Sequence, residues 1–292
     1  MNVGARSRWS ALALALAFAT AGCASDTGET RFSFDARAGG IERPAHEAGS
    51  LTFTNERGWT ITLTKATVTF GPVYLNVAPP LRDDGLSRVL DFFVKPAWAD
   101  GSDHLGAGRV VGEVLGQVTF DALSSELVDF PVTGSLAQER IRTAEVWFYP
   151  KPGVAAETTK IGTPALDVAG SATKGQDTVR FRGALVLDDA WLPEATAGSR
   201  GTLSITEIRK VRGIPAAFYP TEGGGLEVRF DVEEPFRGAD FSNLENNPTD
   251  ADGTKVLVQS KSGNVTTDQV MTNLYQGLRS AKGTYSVRWV DR

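Results

Sequence analysis

Apolar and polar residues alternate along this chain with a period of two, and that alternation constrains its fold more than any other feature. In Trp59-Thr60-Ile61-Thr62-Leu63-Thr64 every second side chain falls on the same face, which is the geometry of a half-buried strand rather than a helix. The same rhythm predicts strands at Phe32–Phe34, Leu51–Thr54, Val68–Phe70, Val73–Val77, Arg109–Phe120, Ala144–Tyr149, Leu166–Thr173, Thr178–Leu187, Leu203–Val211, Leu226–Val232 and Thr284–Val290. Clusters of Gly, Pro, Asn and Asp separate them, and Lys174-Gly175-Gln176-Asp177 reads as a hairpin tip between two strands able to pair. Two segments change period. Leu86, Val89, Leu90 and Phe93 have helical spacing before Pro96, and Val270, Leu274 and Leu278 stand four apart within a helix expected over Thr267–Ser280. The expectation is an all-β fold, an antiparallel β-sandwich with one or two short helices inserted.

Composition agrees. Hydrophobic residues make up 41% of the 292 and charged residues 22%, a balance that supports a sizeable core and excludes extended disorder. There is one cysteine, Cys23, so no intramolecular disulfide staples the fold. The formal charge is −5, without a basic patch, which argues against nucleic acid as a partner.

The first 22 residues read as an export signal. Arg6 and Arg8 form its positive end and Leu12–Phe18 its apolar run, too short to span a bilayer as a helix. Thr20-Ala21-Gly22-Cys23 resembles the lipobox of bacterial lipoproteins, although Thr20 stands where Leu is usual. That resemblance implies diacylglyceryl transfer to Cys23 and cleavage before it. Ala24 and Ser25 follow the cysteine without an immediate Asp, and by the same resemblance this implies sorting to the outer membrane of a Gram-negative cell, facing periplasm or surface. Residues 1–22 are then the leader, 23–29 a lipidated tether, and 30–292 a single β-sandwich domain. Membrane attachment through Cys23 is the one partner so implied.

A second resemblance runs through Gly58–Ala66, Phe70–Leu75, Ala97–His104, Val111–Gly116 and Gly238–Ser242, which look like segments of uncharacterised β-sandwich lipoproteins of Gram-negative bacteria. It implies a fold and no chemistry.

Motifs that carry catalysis are missing. The chain has no Gly-x-Ser-x-Gly elbow, no His-Glu-x-x-His and no phosphate-binding Gly-rich loop, and Gly223-Gly224-Gly225 reads as a turn. The acid pairs Asp83-Asp84, Asp188-Asp189 and Glu233-Glu234 are adjacent in sequence, whereas a glycosidase needs two carboxylates facing each other. A non-enzymatic protein that binds a ligand or partner is therefore expected, with a copper- or zinc-associated periplasmic lipoprotein using His104 as the alternative and a carbohydrate-active enzyme as a second, more distant one. No organic cofactor is signalled. A metal ion is the one cofactor the residues admit: His104 beside Asp103 suits copper or zinc, with His46 in another loop. Asp250 and Asp252 in Asn246–Thr254 have the alternating oxygens of a calcium loop but lack its closing Glu, since Gln259 stands further on. Trp98 and Trp191 lie beside acids and offer faces on which a sugar could stack, whereas Trp59, Trp147 and Trp289 lie in strand patterns and are expected in the core.

Overall fold

The computed structural model describes residues 30–43, 49–79, 109–148, 163–187, 209–258 and 269–291. Its strands are β1 (Arg31–Gly40), β2 (Leu51–Thr54), β3 (Thr60–Phe70), β4 (Val73–Asn76), β5 (Val110–Val114), β6 (Val118–Asp121), β7 (Val128–Asp129), β8 (Gly134–Ala137), β9 (Ile141–Trp147), β10 (Leu166–Lys174), β11 (Asp177–Leu185), β12 (Lys210–Phe218), β13 (Gly225–Phe230), β14 (Lys255–Val256) and β15 (Tyr285–Val290). Two helices, α1 (Glu233–Phe236) and α2 (Gln269–Leu278), precede β14 and β15 respectively. The chain is all-β, as its alternation requires. Among the described residues no helix is long and apolar enough to cross a membrane.

The strands form two sheets. Nine belong to a sheet ordered β12-β9-β4-β5-β8-β1-β13-β15, with β7 also on β1, and six to a sheet ordered β14-β11-β10-β3-β2, with β6 on β3. The larger sheet curls until it is nearly closed. Its two end strands meet through side chains, Phe218 of β12 stacking on Trp289 of β15 at 5.9 Å, with Phe32 and Phe34 edge-on to the same indole. Between the sheets, Phe70 of β3 reaches Phe130 and Tyr285, each at 6.2 Å. Toward the other end of β3, Phe53 and Phe181 pack on Phe236, and Trp59 packs on Phe241. α2 follows its pattern: Val270, Leu274 and Leu278 are buried, with Met271 beside them. Thr267 and the expected helix at Leu86–Phe93 lie outside the described residues.

Four details differ from the sequence reading. The sheets are mixed, because β1 runs parallel to β13 and β11 parallel to β14. The stretch Arg109–Phe120 is two strands in different sheets, β5 and β6, since the chain turns at Leu115-Gly116-Gln117. The strand expected at Leu203–Val211 is described from Lys210 and continues to Phe218; Gly213 (φ 73°) and Pro215 resemble breakers but sit at register shifts of a sheet-end strand, where they are tolerated. β1 also runs six residues past Phe34, through Ala36, Ala38, Gly39 and Gly40. A Cβ at either glycine would strike backbone carbonyl oxygens, of Glu126 at Gly39 and of Ala122 at Gly40, so the small residues mark close packing.

Candidate functional site

The site is set by how β1 is paired along one edge. The first half of β1, Arg31–Phe34, pairs with β8, and Arg37-Ala38 pairs with β7. Between them the ladder is carried by one bond, Phe130 N–H donating to the Ala36 carbonyl at 2.9 Å. Pro131 has no N–H to continue it, so Pro131-Val132-Thr133 leaves the edge and returns at Gly134. Gly134 is needed there because the Phe34 ring occupies the space of a Cβ. The excursion leaves a groove of about 440 Å³, lined by Asp35, Ala36, Arg37, Asp129, Phe130, Pro131, Val132 and Thr133.

Strand alternation decides what faces this groove. Phe34, Ala36 and Ala38 point into the core, so Asp35 and Arg37 fall on the outer face of β1. Asp129 stands directly across from Arg37 on β7, and Glu227 stands across from it on β13. Arg288 of β15 is in turn opposite Glu227. Asp129, Arg37, Glu227 and Arg288 thus form a rank of alternating charge over four strands.

The middle of the rank is already committed. Arg229 Nε donates to the buried Glu227 carboxylate at 2.7 Å, and Arg288 lies 2.5 Å from it. Arg229 also donates to the carbonyls of Gly40 and Ser125, at 2.9 and 2.5 Å. Glu42 completes the cluster at 3.4 Å from Arg229 and 3.3 Å from Arg288. Burial pushes the Glu227 carboxyl upward, but the bonds and charges of Arg229 and Arg288 outweigh it and hold the group below its ordinary value. Both guanidinium contacts fall on one oxygen of Glu227, Oε1. Among the described residues, neither the Arg37 side chain nor that of Asp129 has a hydrogen-bond or ion-pair partner.

A second polar rank crosses the same sheet. Ser135, Glu113, Tyr74 and Glu145 are successive register partners on β8, β5, β4 and β9. Tyr74 and Trp147 are buried yet stand apart from the main apolar core. Trp147 Nε1 donates to Glu145 at 2.6 Å and Arg212 Nε donates to it at 3.2 Å, while the Lys210 ammonium lies 5.3 Å from the centre of the Trp147 ring. Burial first, then the negative charges of Glu113 and Glu145, push the Tyr74 hydroxyl up to about 12. Glu145 is locked between an indole and a guanidinium, an arrangement that ties β9 to β12.

Residues singled out from the sequence have varied fates. Asp250 is held by Arg182 through two hydrogen bonds, at 2.6 and 3.1 Å. Asp252 accepts from the backbone N–H and hydroxyl of Thr254, at 3.1 and 2.9 Å, and pairs with Arg180 at 3.5 Å. Both carboxyls are held below their ordinary value, Asp250 chiefly by the Arg182 bond and Asp252 chiefly by the Thr254 N–H. The loop is an Asp-Gly turn that bridges at Thr249 and Lys255, with its acids spent on arginine. Among the described residues no group of three His, Cys, Asp or Glu side chains is placed to hold a metal ion. Cys23, His46, Asp103, His104, Trp98 and Trp191 lie outside the described residues. Trp59 is buried in the core as expected, Trp147 is buried beside Glu145, and Trp289 is half-buried at the seam. Glu233 and Glu234 lie on α1 and bind Arg43 and Arg237 respectively.

Sequence reading missed the groove. β7 and β8 are two and four residues long, too short for alternation to register, and Arg37 is one of many strand arginines until its neighbours are placed. Pro131 was the available signal. Comparison with protein families, with curated proteins and with solved structures returned no match.

Proposed function

We propose that this chain is an exported lipoprotein that binds a ligand without transforming it. Processing before Cys23 and acylation of that residue anchor it to the outer membrane, facing periplasm or surface, and residues 23–29 tether the sandwich to the lipid. The observation that carries the binding reading is the groove beside β1, where Arg37 and Asp129 stand without partners among the described residues in a concavity of small-molecule size. Support for binding over catalysis comes from the buried carboxylates, because Glu145 and Glu227 are each clamped by arginine and neither is poised to move a proton.

Two experiments test the two halves. Cys23→Ser should move the protein from the membrane to the soluble fraction and abolish metabolic labelling with fatty acid; unchanged membrane partition would remove the anchor. For the binding half, a thermal-shift screen of neutral and charged small molecules should find stabilisers of the unaltered protein that no longer act on Arg37→Gln. Stabilisers acting equally on both proteins would place binding elsewhere.

A further inference from the structure

We infer that the groove takes a small zwitterion, an aliphatic α-amino acid, with its carboxylate on Arg37 and its ammonium on Asp129. This rests on the binding reading above and names the ligand class.

The argument is one of charge and shape. Arg37 and Asp129 stand opposite each other in one groove, a cation beside an anion, with Asp35 also in the lining. Across the strand on its other side Arg37 faces Glu227, whose Oε1 is held by Arg229 and Arg288. Among the described residues no carboxylate fills the planar fork of donors on Arg37, and a carboxylate is its geometric complement. A simple anion entering here meets the Asp129 carboxylate and is repelled. A simple cation finds Asp129 but must sit against the Arg37 guanidinium. A ligand carrying both charges a few bonds apart satisfies each side at once, so the groove discriminates by opposing either charge alone.

Spacing supports the same class. Asp35 and Arg37 are two residues apart on one strand face, roughly 7 Å, and Asp129 is the cross-strand partner of Arg37 at roughly 5 Å. These separations suit a compact ligand whose two charged groups are carried on one carbon. Pro131 and Val132 give a mostly polar wall a small apolar part, against which a short aliphatic side chain would rest, and Thr133 lines the groove beside them. The groove is open to solvent on one side, which points to modest affinity.

Calorimetry on the full chain in detergent, with three probes at millimolar concentration, decides the matter. L-Valine carries both charges, N-acetyl-L-valine keeps only the carboxylate, and L-valinamide keeps only the ammonium. The expected result is binding of L-valine, with each blocked form weaker by about tenfold or more, as the loss of one charge-assisted hydrogen bond requires. Arg37→Gln and Asp129→Asn should each weaken L-valine by a similar factor while leaving the urea unfolding midpoint unchanged. If either blocked form binds as tightly as L-valine, and Arg37→Gln still weakens it, the zwitterion assignment fails and the groove reading stands. If L-valine gives no heat, or if binding ignores both substitutions, the groove itself is not the site.

Discussion

Replacing Asn55 by alanine is expected to destabilise the protein by about 3–5 kcal/mol, a large cost for one polar side chain. Asn55 is 8% exposed and uses its whole amide. Its Nδ2 donates to the carbonyls of Phe236 and Ala239 at 3.0 and 2.8 Å, and its Oδ1 accepts from the N–H groups of Arg57 and Trp59, both at 3.0 Å. Each such bond contributes about 1 kcal/mol net, and four at a poorly hydrated site sum to the figure given. The side chain also ties the turn before β3 to the segment after α1, where Trp59 Nε1 donates to Asp240 at 3.2 Å. Urea unfolding followed by tryptophan fluorescence, checked against far-UV circular dichroism, gives the number. Asn55→Asp sharpens the test. Its oxygens can keep the two accepted bonds, but one of them then faces the carbonyls of Phe236 and Ala239, and protonation restores a donor there. The folded carboxyl pKa is thus raised, so this variant should be most stable below the unfolded aspartate value near 4 and lose stability as pH rises through the folded value. A cost below about 1 kcal/mol for Asn55→Ala, or an Asn55→Asp deficit that does not change with pH, would refute the four-bond account.

Glu227→Gln should cost about 3 kcal/mol in the same assay, because it leaves Arg229 and Arg288 facing a neutral group at a buried site. Since the folded Glu227 pKa is depressed, its contribution is complete above the unfolded glutamate value near 4.3 and is lost as pH falls through the folded one, so the variant should show a shallower acid limb in its stability profile. Tyr74 should ionise only at about pH 12, and ultraviolet titration of the folded protein against Tyr74→Phe isolates that step. Because this pKa is raised, the stability it brings is intact below pH 10 and disappears as pH rises toward 12.

Much of this architecture is legible one strand at a time. Thr60–Phe70 and Leu166–Lys174 alternate long enough for period to settle their nature, and the Gly175 turn (φ 63°) joins two strands whose register closes at Lys174 and Asp177. What period cannot report is who pairs with whom. β1 and β13 are parallel neighbours far apart in sequence, and nothing local to either names the other. The same limit hid the candidate site. Arg37 acquires meaning from Asp129 across one ladder and from a Glu227 already claimed by other arginines across the next. The segments Gly58–Ala66 and Gly238–Ser242 meet in the Asn55, Trp59 and Asp240 lock. They hold structure, and the groove lies elsewhere.

The parallel pairing of β1 with β13 bears on when this chain can fold. Arg229 and Gly40 are bonded across 189 residues of sequence, and β13 is flanked on its other side by β15. Contacts so distant along the chain cannot form while the later segment is still being delivered, and long-range pairing of this kind is slow even once the chain is whole. Topology sets the order here: β1 is made early but waits for a parallel partner far behind it in sequence, so the larger sheet can be completed only after β13 and β15 have been delivered.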